Sequence, residues 1–226
     1  MIACYLDLHA HSTDASDDAG GTVEGYLKWI AARRRRGYRI DGFVLTEHRH
    51  YDPAVRYDEL AGRYDVTVLH GAELETDVGH VLVYGITPGL VRGIDFADVA
   101  LSHRELLTAV RDEGGVAVPA HAGRPRIGLW DHAQAGRVGF ELVGAIEALN
   151  GGSSDEENGR ARELAEARQL ASVGGSDAHF VSAIGRCLTA FERPVTTVAG
   201  LVAELVAGRC RALTAEEARA EAGAAD

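Results

Sequence analysis

Five times along this chain an apolar, β-branched stretch runs directly into a side chain that can bind a metal ion. Asp7-Leu8-His9-Ala10-His11-Ser12 ends the first stretch, Thr46-Glu47-His48 the second and His70-Gly71-Ala72-Glu73 the third; Val118-Pro119-Ala120-His121 ends the fifth and Gly175-Ser176-Asp177-Ala178-His179 the seventh. That recurrence restricts the fold more than any other feature, because a parallel α/β barrel builds its active site from the carboxyl ends of its strands, where residues distant in sequence converge. The spacing predicts strands over Ile2 to Leu8, Gly42 to Thr46, Val66 to Leu69, His80 to Gly85, Val116 to Ala120, Gly144 to Leu149 and Ala171 to Gly174. Helical stretches lie between most of them, the alternation of an α/β protein with mostly parallel strands. The clearest helix opens at Ser102, where Ser102 and Glu105 have capping-box spacing and Leu106, Leu107 and Val110 form an apolar stripe ending at Gly114 and Gly115. Others are expected from Thr22 onward, over Asp155 to Leu170 and over Thr197 to Ala207.

With 226 residues, 46% of them hydrophobic, the chain can bury one substantial core, and residues 1–213 read as a single domain. From about Thr214 to Asp226 almost every residue is Ala, Glu or Arg, so this segment is expected to be a fraying helix or a disordered tail. Met1 to Leu8 lacks a basic leader and a cleavage site, and no stretch approaches the length of a membrane span. Cys4, Cys187 and Cys210 are odd in number and far apart, with no C-x-x-C pair, so a reducing, cytoplasmic setting is expected. A formal charge of −11 argues against an affinity built on neutralising nucleic-acid phosphates. The basic run Arg33 to Arg36 is read as a solvated helix end, where cations suit the macrodipole.

Ten histidines are present, and their placement carries the chemistry. In extended backbone alternate side chains point the same way, so His9 and His11 can meet one ion. His80 opens a strand instead of ending one; a tight return over Thr76 to Gly79 would bring it back beside Glu73. Imidazole and carboxylate ligands without thiolates suit Zn, Mn or Fe, and neither an H-E-x-x-H helix nor a C-x-x-C pair is present. Asp7 is expected to orient a ligand histidine, as metal-bound imidazoles usually require. His50, His70, His103 and His132 are read as structural or surface residues, with His50 alone near enough to a ligand to donate a proton.

At these motifs the sequence resembles the polymerase and histidinol phosphatase (PHP) superfamily. The likeness rests on Asp-Leu-His-Ala-His-Ser, Thr-Glu-His, Gly-Ala-Glu-Leu, Gly-His-Val-Leu, Pro-Ala-His and Gly-Ser-Asp-Ala-His, which occur in the family's order between Asp7 and His179. It implies a distorted TIM-like (β/α)7 barrel with a trinuclear site of nine ligands at the C-terminal ends of its strands. Carried across, one ion would be held by His9, His11, Glu73 and Asp177, with Glu73 bridging to a second held by His80 and His121. A third would take His48, His179 and an acidic residue after the first motif. Family members often have Ser-Asp-Gly there, whereas this chain reads Asp14-Ala15-Ser16-Asp17-Asp18-Ala19, and Asp17 is chosen because it directly follows Ser16.

The resulting expectation is a hydrolase of phosphate esters, a mono- or diesterase acting on small molecules or short nucleotides. It would use two or three divalent ions (Mn, Fe or Zn) that neutralise phosphoryl charge and lower the pKa of bound water. Glu73, Asp177 and His179 are the ligands expected to take part in the reaction itself. Arg124 and Arg186 are candidate phosphate clamps, and Asn150 is expected at the pocket mouth. Neither membrane binding nor strong duplex binding is expected, and oligomeric state is open. The competing readings are a hydrolase acting at carbon and a metal-stabilised module without activity.

Overall fold

The computed structural model describes residues 2–223. Their strands are β1 (Cys4–Ala10), β2 (Gly42–His48), β3 (Thr67–Thr76), β4 (Gly79–Tyr84), β5 (Val116–Pro119), β6 (Ala145–Asn150), β7 (Ala171–Gly175), β8 (Cys187–Phe191) and β9 (Cys210–Thr214). The helices are α1 (Val23–Arg34), α2 (Asp58–Gly62), α3 (Pro88–Gly93), α4 (His103–Asp112), α5 (Trp130–Gln134), α6 (Asp155–Arg168), α7 (Val198–Val206) and α8 (Ala215–Gly223). No helix among the described residues is long and apolar enough to cross a membrane.

Seven strands form one sheet in the order β5-β4-β3-β2-β1-β8-β9, and β6 and β7 form a separate pair. Only β1–β2, β2–β3 and β6–β7 are parallel; β1–β8, β3–β4, β4–β5 and β8–β9 are antiparallel. The mostly parallel (β/α)7 arrangement expected from sequence is therefore narrowed to a mixed α/β fold with a curled sheet. Part of the reason is local. The return from β3 to β4 is a two-residue turn, Asp77-Val78, closed by Gly79 at φ +116, and a Cβ at Gly79 would lie 2.7 Å from the Ile127 carbonyl oxygen. So short a connection can only join antiparallel strands. The β6–β7 pair is set against the large sheet by isolated links: Ala122 N–H donates to the Glu147 carbonyl at 3.3 Å, His11 N–H to Ala178 at 2.9 Å, and Gly174 N–H to Thr189 Oγ1 at 2.8 Å.

All seven residues of β1 are buried, as in a strand covered on both faces. On one side Leu6 and Leu8 join Val44, Leu82, Val118 and Val173 in an apolar cluster; on the other, Asp7 and His9 are polar and fully buried. The helix α1 buries Val23, Tyr26, Leu27 and Ile30, an i, i+3, i+4, i+7 stripe, against Phe43 and Leu45 of β2. The Tyr26 hydroxyl lies 2.5 Å from the His11 carbonyl and 2.8 Å from that of Ala178, so a single helix residue ties together the chain just beyond β1 and just beyond β7.

Helix starts follow their caps. Thr22 Oγ1 accepts from Gly25 N–H, Ser102 Oγ from Glu105 N–H, and Ser154 and Glu157 form a full capping box at α6. The Arg33–Arg36 run is more than a solvated terminus, because Arg34 donates to the carbonyls of Ile40 at 2.7 Å and Asp65 at 2.6 Å, and the Arg33 guanidinium stacks on Tyr38. Of the Ala/Glu-rich tail, Ala215–Gly223 is helical, and Ala215 and Ala218 are buried with Leu213. Residues 224–226 lie outside the described residues.

Candidate metal centre

Glu73 stands at the middle of the site, in β3 opposite His48 of β2. Its carboxylate is almost fully buried and is surrounded by imidazoles. Oε1 lies 3.0 Å from His80 Nδ1 and 3.0 Å from His121 Nε2. Oε2 lies 3.0 Å from His48 Nδ1 and 3.3 Å from both His9 Nε2 and His11 Nε2. Each neighbour arrives by a different route: β1 supplies His9 and directs His11, β2 supplies His48, the β3–β4 turn returns His80, and the segment after β5 supplies His121. A sheet that did not curl could not bring these strand ends within one ligand radius.

Whether such a cluster fits a metal is answered by its hydrogen bonds. Glu73 Oε2 is buried beside three ring nitrogens, yet it accepts a hydrogen bond from no group among the described residues. His9 Nε2 and His11 Nε2 lie only 3.0 Å apart, and Asp177 Oδ1 is 3.5 and 3.4 Å from them. Lone pairs aimed at a common point and poorly aligned with one another are what ligands of a cation present. Three sets can each hold an ion: His9, His11 and Glu73; Glu73, His80 and His121; and His11, His48 and His179. Glu73 and His11 each belong to two of them.

The charges are strongly coupled. Burial opposes ionisation of Glu73, but His9 first, and then the His121, His48 and His80 imidazoles around it, hold its carboxyl well below the usual range. Burial likewise disfavours the His9 imidazolium, but the Glu147, Asp177 and Glu73 carboxylates reverse the balance and raise its pKa well above the ordinary value. Burial dominates at His11, whose pKa falls to about 4. One imidazole thus favours the proton and its neighbour resists it, so these rings cannot all be cationic together.

A family model described as PHP-associated matches residues 155–210, the segment holding α6, β7 and the Asp177/His179 motif. The match to that PHP-associated model spans 56 of the 226 residues. The chain is similar in fold to PsfC from Pseudomonas syringae, at 21% identity over 100% of this chain and 98% of that one, TM-score 0.68. A two-domain protein from Bacteroides vulgatus containing a predicted PHP-like metal-dependent phosphoesterase gives 17% identity over 96% and 69%, TM-score 0.58. An amidohydrolase from Chromobacterium violaceum gives 18% identity over 93% and 98%, TM-score 0.60. No curated protein matches the sequence.

Several residues lie elsewhere than the sequence indicated. Asp18, not Asp17, is the acidic residue of the third group: its Oδ2 is 3.5 Å from His48 Nε2 and 3.3 Å from His179 Nε2. The loop that carries it is pinned by Glu47, which accepts from the hydroxyls of Ser12 at 2.6 Å and Ser16 at 2.5 Å and from the Ser12 amide; Ser16 Oγ accepts in turn from His48 N–H at 3.2 Å. Adjacency to Ser16 was the wrong guide, because Ser16 is turned toward Glu47 and the chain needs two more residues to reach the imidazoles. Asp18→Asn should lower metal occupancy by one equivalent or raise the metal requirement of the reaction about 10-fold or more, and Asp17→Asn should do neither; metal analysis of both variants checks this, and equal effects would return the assignment to Asp17.

Asp7 does not orient a ligand imidazole. It accepts backbone N–H groups of His9, Ser176 and Gly185, at 3.2, 2.7 and 2.8 Å, and so fastens β1 to the turn after β7; burial pushes its carboxyl up to about 6 against those donors. The orienting group is Glu147 of β6. Both of its oxygens lie 3.2 Å from His9 Nδ1, and Oε2 also accepts from His121 N–H at 2.5 Å and Asn150 Nδ2 at 2.9 Å. In sequence Glu147 is one acidic residue in a strand, three before Asn150, and its full burial was the missing signal.

Arg124 is already committed. Its Nε donates to Ser153 Oγ, one Nη to Asn150 Oδ1 and the other to Asp177 Oδ2, each at 2.8 Å. It therefore steers Asp177 in place of waiting for a phosphate. Asn150 is almost fully buried between Glu147 and Arg124, away from the mouth where it was expected. Arg186 is exposed, its backbone N–H held by Ser176 Oγ at 2.8 Å. Left-handed backbone gathers here: Arg49 (φ 52), His121 (φ 30) and Asp177 (φ 52) all take conformations that side chains disfavour. Such strain persists where surrounding contacts fix it and is common at functional sites.

Proposed function

We propose that this protein is a metal-dependent phosphoesterase acting on small phosphorylated compounds or short nucleotides. The observation that carries the reading is the shared Glu73 carboxylate, with two imidazoles on one oxygen and three on the other. One divalent ion is assigned to His9, His11, Glu73 and Asp177, a second to Glu73, His80 and His121, and a third to His48, His179 and Asp18, with Mn, Fe or Zn suited to such donors. Bound there, the ions supply Lewis-acid neutralisation of phosphoryl charge and a water of lowered pKa.

The protein's own part is positional. Glu147 fixes His9 and His121, Arg124 fixes Asp177, and the Glu47 loop delivers Asp18. Arg186, exposed beside Ser176, is the clamp assigned to a substrate oxygen. The net charge of −11 makes a small substrate a better partner than duplex nucleic acid. A hydrolase at carbon is the second reading, because one solved structure of similar fold is named an amidohydrolase.

Phosphate release from mononucleotides, nucleoside bisphosphates, sugar phosphates and bis-p-nitrophenyl phosphate, with added Mn and with chelator, tests this. Chelator-sensitive release is the expected result. Metal-loaded protein that is inert on the whole panel but cleaves amides would transfer the function to carbon.

A further inference from the structure

A recess lies between the β3–β4 turn, the start of α4 and the segment before β6, and it shares no residue with the cleft at the mouth of the metal centre. Its volume is about 280 Å³, near the lower limit for a ligand pocket, so what fills it must be small. Val78 and Leu107 give it apolar surface; Asp77, His103, Arg104, Arg137 and Glu141 give it polar groups. His103, the first residue of α4, is only 5% exposed, and neither of its ring nitrogens has a hydrogen-bond partner among the described residues. Burial lowers its pKa, so the ring is neutral and carries one N–H donor and one acceptor. Buried polar atoms left in this way cost stability, and two in one ring call for a group that supplies both an acceptor and a donor.

The charges around His103 are balanced but not all paired. Arg104 and Glu141 form an ion pair with each other. Asp77 has no cationic partner among the described residues; its Oδ1 accepts the His103 backbone N–H at 2.8 Å. Arg137 has no carboxylate partner there; one Nη lies 3.1 Å from His132 Nδ1. An anion alone would meet the unpaired Asp77, and a cation alone the unpaired Arg137. A compound carrying both charges can pair with each.

We propose that this recess binds a small zwitterion, a compound bearing one ammonium and one carboxylate, and that it acts as an effector site for the metal centre. The ammonium is assigned to Asp77 and the carboxylate to Arg137, with the His103 ring hydrogen-bonded to the same groups. The route to the centre is short. Asp77 and Val78 are the whole turn between β3, which carries Glu73, and β4, which opens Gly79-His80. Asp77 N–H donates to the Leu101 carbonyl at 2.9 Å, so the turn is already fastened to the segment that leads into α4. A ligand paired with Asp77 restrains the turn that returns His80 to Glu73, and a restrained imidazole loses less freedom when an ion binds. The proposal holds whatever bond the metal centre hydrolyses.

The test is thermal melting of the full chain with the standard α-amino acids, β-alanine and γ-aminobutyrate, each compared with its N-acetyl derivative, which lacks the ammonium, and its methyl ester, which lacks the carboxylate. At least one parent compound should raise the melting temperature while both of its derivatives fail. Asp77→Asn and Arg137→Gln should each weaken its binding about 10-fold, as expected for losing a charged hydrogen bond. His103→Leu should melt no lower than wild type without the compound, because it removes two unsatisfied nitrogens, and should lose the response. The same compound should tighten Mn binding about 5-fold or more, read by competition with a chromogenic chelator. The site is overturned if no parent compound stabilises the protein, if a derivative does so equally well, or if Asp77→Asn and Arg137→Gln respond as wild type does. Unaltered Mn affinity overturns the effector role.

Discussion

Glu73→Gln is expected to keep the fold and lose at least about a thousandfold in kcat, because an interaction worth several kcal/mol to developing phosphoryl charge disappears with the bridge. The carboxylate belongs to two of the three groups that could hold a metal ion. The amide keeps the volume but offers one weak oxygen and places an NH2 among imidazoles that already compete for protons. Metal content should drop together with activity, while far-UV circular dichroism stays as in wild type. A Glu73→Gln protein that purifies fully metallated and active would remove the bridging role. Loss of the circular dichroism signal would instead make Glu73 a determinant of folding.

The second large effect is expected at Glu147, which is buried beneath the cluster. Glu147→Gln should weaken metal binding about 10- to 100-fold, the usual range when the partner of a ligand imidazole is removed. The cause is the contact with His9 Nδ1, which fixes which nitrogen of that ring faces Glu73. The same carboxylate holds the His121 amide at 2.5 Å, so two ligands from distant strands loosen together. Competition with a chromogenic chelator reads the affinity, and a melting curve of the metal-free protein reads the packing. Lower melting with unaltered metal affinity would reduce Glu147 to a structural residue.

Much of the clustered set of candidate ligands was legible because strand ends are local signals. His9, His11, His48, Glu73, His121, Asp177 and His179 each follow an apolar run, and the Thr76 to Gly79 return of His80 could be read from turn chemistry. The groups that orient those ligands were not legible. Glu147 and Glu47 lie inside strands, and Arg124 looks like any loop arginine; what distinguishes them is which partner they meet across the fold. The same limit explains the missed strands. Cys187–Phe191 and Cys210–Thr214 are five-residue runs of mixed character, and their pairing with β1 and with each other is a tertiary fact. The choice between Asp17 and Asp18 turned on the path of one loop around Glu47, which residue order does not encode.

The position of β1 bears on how the centre would open. It is hydrogen-bonded along both edges, to β2 and to β8, and β3 is likewise flanked by β2 and β4. Amides in these strands should exchange with solvent only when the whole sheet comes apart, whereas the loop bearing Asp18 can part from Glu47 by local opening. The centre therefore combines a slow-exchanging half, anchored by His9 and Glu73, with a half built partly on a loop that can breathe while the rest of the molecule stays folded.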